Sequence, residues 1–351
     1  MASFESNTVT STGRLIKVIS ACFIVLFITA VPVDARRVAK GPVELTIYPA
    51  KAGELEKKYQ LMVKTEDQID ADAVPLYEKA VKSIPNDFNQ EQIREWLKLP
   101  AEQFPQEQAE ETLQKYLETL KLAVRATMCK ECNWPEWKPG AQIEDLSGYR
   151  KLVYILELWA RLEISRGGYE GAIIAMRTAF VMARDLGQAP TIIQALVGAA
   201  VGGLMCREVE QFVQVKDSPN LYRALTSLPR PLVDMEKAIE SEQKASPGLL
   251  RKFTEKQLAP AHDRARVISK RLTNNLNGLQ CVEAIKHYAA THDGQLPETL
   301  SDISQMEVPK DVMSGKAFEY RLTSAGAVLK SVMPEGGGPK DMVHYVIVLK
   351  K

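Results

Sequence analysis

The residues best suited to chemistry lie in the stretch CKECNWPEW, residues 129–137. Two cysteines separated by two residues, Cys129 and Cys132, can act as a redox pair or supply half of a zinc site. A thioredoxin-like pair needs a strand before the motif and a helix after it. Here a long helical pattern precedes the motif and a Trp-Pro loop follows it. We therefore favour structural thiols, held in a disulfide or packed beside Trp134 and Trp137.

A zinc site at this motif would need two more ligands, and the rest of the sequence does not supply them. There is no second Cys-x-x-Cys, and His287 and His292 are five residues apart, which places them poorly on one helical face. The sequence also lacks Gly-x-Ser-x-Gly, His-Glu-x-x-His and Walker motifs. We therefore assign no metal, no cofactor and no catalytic residue. The sequence favours a protein that is not an enzyme, and leaves open a site assembled from scattered residues.

The balance of charge bears on the choice of partner. The 351 residues include 45 Lys and Arg and 44 Asp and Glu, which gives a net charge of +1. A nucleic-acid-binding protein is expected to carry a basic stripe, so nucleic acid is not an expected partner. Hydrophobic residues make up 45% of the chain and charged residues 25%, as in an ordinary folded protein.

The N-terminal region has the features of an export signal. Basic residues precede an uncharged apolar run at 18–33, and small residues precede a candidate cleavage site after Ala35. The run has about 16 residues, fewer than the roughly 20 that a membrane-spanning helix prefers. We expect an exported protein of the periplasm or cell envelope. Residues 1–35 are then either a cleaved signal peptide or an uncleaved anchor at 15–33, which would be the protein's sole contact with the membrane.

Residues from about 70 onward show the apolar periodicity of helices. In residues 107–128, 147–165 and 169–186, large apolar side chains recur three or four positions apart, with charged residues between them. The links between these segments, such as Gly167-Gly168, are short, and short links return consecutive helices antiparallel. Each apolar stripe is therefore predicted to be a core face packed on a neighbouring helix.

One of these helix pairs resembles a known hairpin. In residues 162–183, the positions of Gly167, Tyr169, Ala172 and Ala179 match those of a tetratricopeptide hairpin. The sequence has no clear second copy at that family's period. The prediction is therefore a mainly α protein, an array of antiparallel αα-hairpins that is tetratricopeptide-like or solenoid-like, with a small C-terminal α+β module.

The most apolar segment of the middle is TIIQALVGAAVGGLMC, residues 191–206. Polar residues interrupt it and charged residues follow it directly, so we interpret it as the most buried helix of the bundle rather than a second membrane span. Glycines such as Gly198 would let neighbouring helices pack closely, and no Gly-Lys-Ser/Thr ending marks a phosphate loop. Residues 218–244 and 255–291 continue the helical pattern, with a break at 246–248.

Strand-like sequences lie near both ends of the chain. VELTIYP at 43–49 and KKYQLMVK at 57–64 predict two short strands in an extended N-terminal arm. After a helix that ends near Gly294, three runs predict the strands of a small antiparallel sheet, at residues 317–323, 327–332 and 343–350. We expect the N-terminal arm to stay apart from this sheet.

The stretch AIKHYAATHDGQLPETL, at 284–300, runs from a helix through a glycine and a Leu-Pro pair into a second short helix. Together with DVMSGKAFEYR, at 311–321, it resembles the C-terminal region of type II secretion major pseudopilins. Gly294 is suited to cap the helix and Pro297 to start the next one. The acidic calcium loop of that family has no match here, so the resemblance implies docking to a secretion machine but no metal. The matching residues are Ala284, Ile285, Tyr288, His292, Gly294, Leu296, Pro297, Leu300, Asp311, Ser314, Gly315, Lys316, Phe318, Tyr320 and Arg321.

These observations divide the chain into four predicted segments. They are a signal peptide or anchor at 1–35, an extended arm at 36–69, a helical array at 70–275 and a pseudopilin-like helix with its sheet at 276–351. The whole chain also resembles exported bacterial helical proteins with an early ELT-x-YP element, a likeness that carries no known activity. We expect a non-catalytic interaction or scaffold protein whose partner is another envelope protein. The alternatives are an accessory of a pseudopilus-like secretion machine and an enzyme with an unrecognised site.

Overall fold

The structure, a computed structural model, describes most of the chain after its first 41 residues. The described residues are 42–49, 58–138, 146–245, 248–335 and 338–350. The predicted signal peptide or anchor at 1–35 lies outside them.

The described part of the chain is mainly helical, with a small mixed sheet near the C-terminus. We number helices and strands in chain order. The helices are α1 (Val74–Lys82), α2 (Gln90–Trp96), α3 (Gln106–Gln114), α4 (Leu117–Thr127), α5 (Ser147–Ser165), α6 (Tyr169–Leu186), α7 (Ile192–Val213), α8 (Tyr222–Thr226), α9 (Met235–Ala245) and α10 (Gly248–Thr291). The strands are β1 (Val43–Ile47), β2 (Ile69–Asp72), β3 (Cys129–Glu131), β4 (Glu319–Thr323), β5 (Gly326–Lys330) and β6 (His344–Leu349).

Helices α5, α6 and α7 pack on one another and form the centre of the molecule. The predicted helical segments 147–165 and 169–186 match α5 and α6 residue for residue. At Gly198 of α7, an added Cβ would lie 2.6 Å from the backbone oxygen of Ala183, so no side chain fits there. The predicted close approach of helices is therefore confirmed at Gly198, whereas Gly203 faces open space.

Helix α7 is the one helix within the described ranges that is long and apolar enough to span a membrane, with a mean hydropathy of 1.5 in its most apolar window. In the folded protein, 78% of that window is buried against other parts of the chain. The interpretation of residues 191–206 as a buried helix is therefore confirmed. Most of its apolar surface therefore packs against other helices of the protein.

The N-terminus of α7 is held by a carboxyl group of α9. The backbone nitrogen of Ile192 donates a hydrogen bond to Glu242 Oε1 at 2.7 Å. Burial raises the pKa of Glu242 to about 7, and the hydrogen bond from Ile192 lowers that pKa only in part. The folded protein therefore holds the Glu242 proton more tightly than the unfolded chain does.

This proton gives the first testable prediction. Because the folded-state pKa of Glu242 is raised, its contribution to stability is full below about pH 4.5 and is lost as the pH rises through about 7. Glu242→Gln keeps an oxygen acceptor for Ile192 and has no proton to lose. We therefore expect the free energy of unfolding of the variant, relative to that of the wild type, to be higher at about pH 8 than at about pH 5. The increase should be at most about 3 kcal/mol. Urea unfolding at both pH values measures this gain, and a constant difference between the two proteins would contradict the prediction.

Two of the predicted helices are interrupted in the structure. The pattern at 107–128 forms α3 and α4 as separate helices, because the chain turns before Leu117 and buries the side chain of Tyr116 there. The Tyr116 ring packs edge-on against Phe88, with 5.9 Å between the ring centres. Residues 218–244 are helical only in α8 and α9, because two prolines in the loop between them cannot continue a helix.

Helix α10 has 44 residues and joins the helical middle of the protein to the C-terminal sheet. It continues through Pro260, and the predicted segment boundary between residues 275 and 276 falls inside it. Beyond its end, Gly294 has a φ of +74°, a backbone conformation that favours glycine. The predicted cap at Gly294 is therefore confirmed, but the next helical turn begins at Leu300 rather than at Pro297.

Four strands form a mixed sheet in the order β1–β6–β5–β4. Strands β4, β5 and β6 pair antiparallel, as predicted, but β1 pairs parallel with β6, with Leu45 opposite Ile347 and Ile47 opposite Leu349. The expectations of a purely antiparallel sheet and of a separate N-terminal arm are therefore wrong. The physical reason is burial, because Leu45 and Ile47 are fully covered only when β1 completes the sheet.

The second strand predicted in the arm, at 57–64, is also wrong over the residues that can be tested. Residues 58–64 form a turn and irregular chain, although Tyr59 and Leu61 are buried. Burial of alternate side chains produces a strand-like pattern even where no neighbouring strand supplies hydrogen bonds. The strand forms farther on, at β2, which pairs parallel with β3 in the Cys-x-x-Cys segment.

Candidate functional site

An apolar groove with a volume of about 450 Å³ lies on the surface between α4 and the neighbouring helices α3, α5 and α6. Almost all of the surface inside it belongs to carbon and sulfur atoms. Its apolar lining residues are Leu113, Leu117, Leu120, Val124, Met128, Trp159, Leu162 and Ile174. Its charged lining residues are Glu110, Lys121, Arg125, Glu163 and Arg166.

Helix α4 forms one wall because it has apolar residues on more than one face. It packs on α1 and α6, and Ala123 and Ala126 are completely buried. Leu117 and Val124 line the groove instead, and Leu117 is 44% exposed. A single exposed leucine is ordinary, but one that belongs to a continuous apolar concavity marks a surface suited to binding.

The charged residues differ between the two walls. On the α5 side, Arg166, which directly follows α5, pairs with Glu163 of α5 and with Glu110 of α3. On α4, Lys121 and Arg125 are exposed, one helical turn apart, and neither forms an ion pair with another residue that the structure describes. The α4 wall therefore carries two positive charges, while on the opposite wall two carboxylates share one guanidinium.

The predicted thiols lie just beyond the end of α4. Cys129 is buried at the start of β3, and Cys132 follows that strand and is partly exposed. None of the four cysteines in the described residues, these two with Cys206 and Cys281, forms a disulfide bond. Cys206 and Cys281 are fully buried on helices, as small packing residues are expected to be.

Hydrogen bonds to two aspartates fix the Cys-x-x-Cys segment in place. The backbone nitrogen of Asn133 donates to Asp72 Oδ1 at 3.0 Å. The indole nitrogen of Trp134 donates to the backbone oxygen of Asp185 at 2.8 Å. The Asp185 carboxylate itself accepts from the Tyr77 hydroxyl at 2.8 Å. These hydrogen bonds therefore fix the segment against the C-terminal end of α6.

The surroundings of Cys132 oppose the formation of a thiolate. Burial raises the pKa of the Cys132 thiol, and the nearby carboxylates of Asp185 and Asp72 raise it further. Burial and Asp72 also raise the pKa of Cys129. The thiolate is the form that attacks disulfides, and these surroundings disfavour that form at both cysteines. Within the described ranges, no three His, Cys, Asp or Glu side chains cluster as a metal site requires.

Buried charges elsewhere join helices instead of facing a cleft. Arg161 of α5 and Glu208 of α7 form a two-pronged ion pair with both N–O distances at 2.8 Å, and their side chains are 4% and 0% exposed. The remaining Arg161 nitrogen donates to the backbone oxygens of Leu97 and Leu99. These groups tie α2 and α5 to α7, and they are not accessible to a substrate.

Asp311 organises the turn that resembles the pseudopilin segment. Its buried carboxylate accepts hydrogen bonds from the Asn274 side chain at 2.6 Å and from the Ser314 hydroxyl at 3.0 Å. It also accepts from the backbone nitrogens of Met313 at 2.8 Å and Val332 at 2.9 Å. One carboxylate thus joins the turn to α10 and to the chain that follows β5.

Sequence reasoning identified Cys129 and Cys132 and missed the groove. The apolar stripe of residues 107–128 was predicted to be a core face, but only part of it is. The residues of the stripe, Leu113, Leu117, Leu120, Val124 and Met128, all line the groove, where Leu113 and Leu120 are buried and Leu117 is 44% exposed. One signal in the sequence could have indicated the groove. The apolar stripe of α4 is wider than the surface that α1 and α6 cover.

The fold and this surface define a class of protein: a mainly helical molecule with a small C-terminal sheet and a surface groove lined by apolar and charged residues. No protein-family model, curated protein or solved structure matches the chain.

Proposed function

We propose that this is a non-catalytic interaction or scaffold protein of the cell envelope, exported by its N-terminal segment. Its helices would act as an array of αα-hairpins, of which the α5–α6 pair resembles a tetratricopeptide hairpin in sequence. Arrays of this kind use concave surfaces to hold other proteins. The groove beside α4 is then the binding surface, and its occupant is an apolar segment of another envelope protein.

The observation that carries this proposal is the composition of the groove. Eight apolar side chains line it, and covering apolar surface stabilises a complex by about 25 cal/mol per Å² before the costs of association. Charged residues lie at its edges, as in protein interfaces with an apolar centre and a polar rim. The groove lining includes no His, Cys, Ser or Thr, and its two carboxylates, Glu110 and Glu163, are paired with Arg166, an arrangement that does not favour an enzyme.

Substitution of Leu117 tests this proposal. Leu117→Glu places a charge in the groove without touching the core, and we expect it to weaken binding of the envelope partner at least about tenfold, or about 1.4 kcal/mol. The partner is first captured in cells by a photo-cross-linking residue at position 124, and binding is then measured with both proteins purified. Leu322→Glu is a matched control, because Leu322 is 40% exposed and lies on β4, outside the groove. Equal binding by the Leu117→Glu variant and the wild type would contradict the proposal.

A second candidate function is docking to a pseudopilus-like secretion machine through the C-terminal module. The observation in its favour is the edge of the sheet: among the described strands, β4 pairs with β5 alone. Leu322 extends the row formed by Ile347 and Ala327 and remains exposed at that edge. Such an edge can accept an extended strand from a partner. The same two variants separate the candidates, because this one requires Leu322→Glu, and not Leu117→Glu, to reduce association.

A further inference from the structure

We infer that the segment bound in the groove is an amphipathic helix of about three turns whose acidic flank faces Lys121 and Arg125. This inference rests on the proposed function and adds the conformation, length and charge of the bound segment. Three observations carry it: the apolar interior of the groove, its length along α4, and the difference in charge between its two walls.

The interior of the groove favours a helix over an extended segment. An extended peptide presents unpaired backbone N–H and C=O groups, and burying each one without a partner is costly. The groove floor includes the side chains of Leu120 and Leu162, which cannot pair with those groups. A helix satisfies its own backbone hydrogen bonds and can place a purely apolar stripe on this floor.

The dimensions of the groove set the length of the helix. On α4 its lining runs from Leu117 to Met128, which corresponds to about 16 Å at 1.5 Å per residue. A bound helix of about 11 residues, or three turns, would follow this wall from end to end. Such a helix buries apolar residues at positions i, i+3, i+4 and i+7.

The charges of the walls set the rotation of that helix about its own axis. Lys121 and Arg125 project from α4 at a spacing of four residues, so acidic residues four apart on the bound helix can face both of them. Across the groove, Glu110 and Glu163 share Arg166, so that wall does not attract a second acidic flank. The difference between the walls selects a helix that is acidic on one side only.

The same arrangement argues against a fatty acyl chain as the occupant. An acyl chain carries its charge at one end and needs a cationic anchor at one end of the groove. Here the two cations are a full turn apart along α4, in the middle of the wall. Charges along both walls match a ligand that is polar along its whole length, as an amphipathic helix is.

Synthetic peptides test the inference directly. Three peptides of about 16 residues would share one leucine stripe and differ at two flank positions four apart, which carry Glu, Gln or Lys. We expect the Glu peptide to bind the full-length mature protein about tenfold more tightly than the Gln peptide at low salt, and the Lys peptide to bind more weakly than both. The difference should shrink in about 0.5 M salt, because exposed charges are then screened. Fluorescence anisotropy of labelled peptides measures all three affinities.

A charge reversal on the protein provides the reciprocal test. The double variant Lys121→Glu with Arg125→Glu should prefer the Lys peptide over the Glu peptide. Lys79→Glu with Lys82→Glu is the matched control, since it changes the net charge equally at exposed positions of α1, outside the groove. The control variant should keep the preference of the wild type.

The outcomes separate this inference from the proposed function. Equal binding of the three peptides, abolished by Leu117→Glu, would overturn the acidic flank and leave the proposed function intact. Failure of every peptide to bind would overturn both. Displacement of the peptides by laurate at micromolar concentration would also overturn both, in favour of a lipid site.

Discussion

Arg161→Ala is expected to destabilise the folded protein by about 3 to 5 kcal/mol, because it leaves the Glu208 carboxylate buried without its partner. Glu208 is 0% exposed and receives two hydrogen bonds from Arg161. The backbone oxygens of Leu97 and Leu99 lose a donor in the same substitution. Urea unfolding of the purified protein measures the loss.

The double variant Arg161→Met with Glu208→Leu distinguishes a charge left unpaired from a lost contact. A buried ion pair is often no more stabilising than apolar side chains of similar volume, so the double variant should recover most of the stability that Arg161→Ala loses. The exposed pair of Lys82 and Glu78 serves as a control, and Lys82→Ala should cost less than about 1 kcal/mol. A double variant as unstable as Arg161→Ala would refute this explanation.

Asp311→Ala is the second substitution with a large expected effect, a loss of at least about 3 kcal/mol. Hydrogen bonds to a charged group contribute about 1.5 to 3 kcal/mol each, and the Asp311 carboxylate accepts four. Without it, the backbone nitrogens of Met313 and Val332 have no acceptor from this side chain. Thermal and urea unfolding should both show the loss.

Asp311→Asn is the informative comparison because it keeps the size of the side chain and one oxygen acceptor. We expect its free energy of unfolding to lie between those of the wild type and Asp311→Ala. The reason is that its NH2 group faces donors where an acceptor is required. Equal stability of all three proteins would contradict the role given to the carboxylate. The pseudopilin-like residues Ser314 and Gly315 belong to the same turn, so the resemblance has a local explanation in hydrogen bonding.

The parts of the fold that the sequence predicted well are those that depend on local pattern. Helices α5 and α6 have an apolar stripe along their whole length and glycines between them, so their ends could be placed from the sequence. The strands near the C-terminus alternate apolar and polar residues and are separated by glycine-containing turns. The pairing of distant strands could not be predicted in the same way. Alternation of apolar and polar residues does not indicate which distant strand lies alongside.

The groove could not be predicted for a related reason. An apolar side chain such as Leu117 has the same sequence signature whether it faces the core or an open concavity. The distinction depends on whether a neighbouring helix covers it, and that is decided by packing between segments far apart in the chain. Conversely, Cys129 and Cys132 have a pattern suggestive of chemistry, but the carboxylates that oppose their ionisation come from α6 and β2.

Because β1 pairs in parallel with β6, the sheet cannot be completed until nearly the whole chain has been synthesised. About 300 residues separate the paired strands, so β1 is synthesised long before the strand that covers it exists. Contacts between such distant segments form slowly, and incomplete chains leave strand edges open to other chains. Ribosome stalling or proteolysis that removes residues 344–349 would uncover β1 and β5 together. Incomplete chains that lack β6 should therefore depend on a chaperone until β6 has been synthesised.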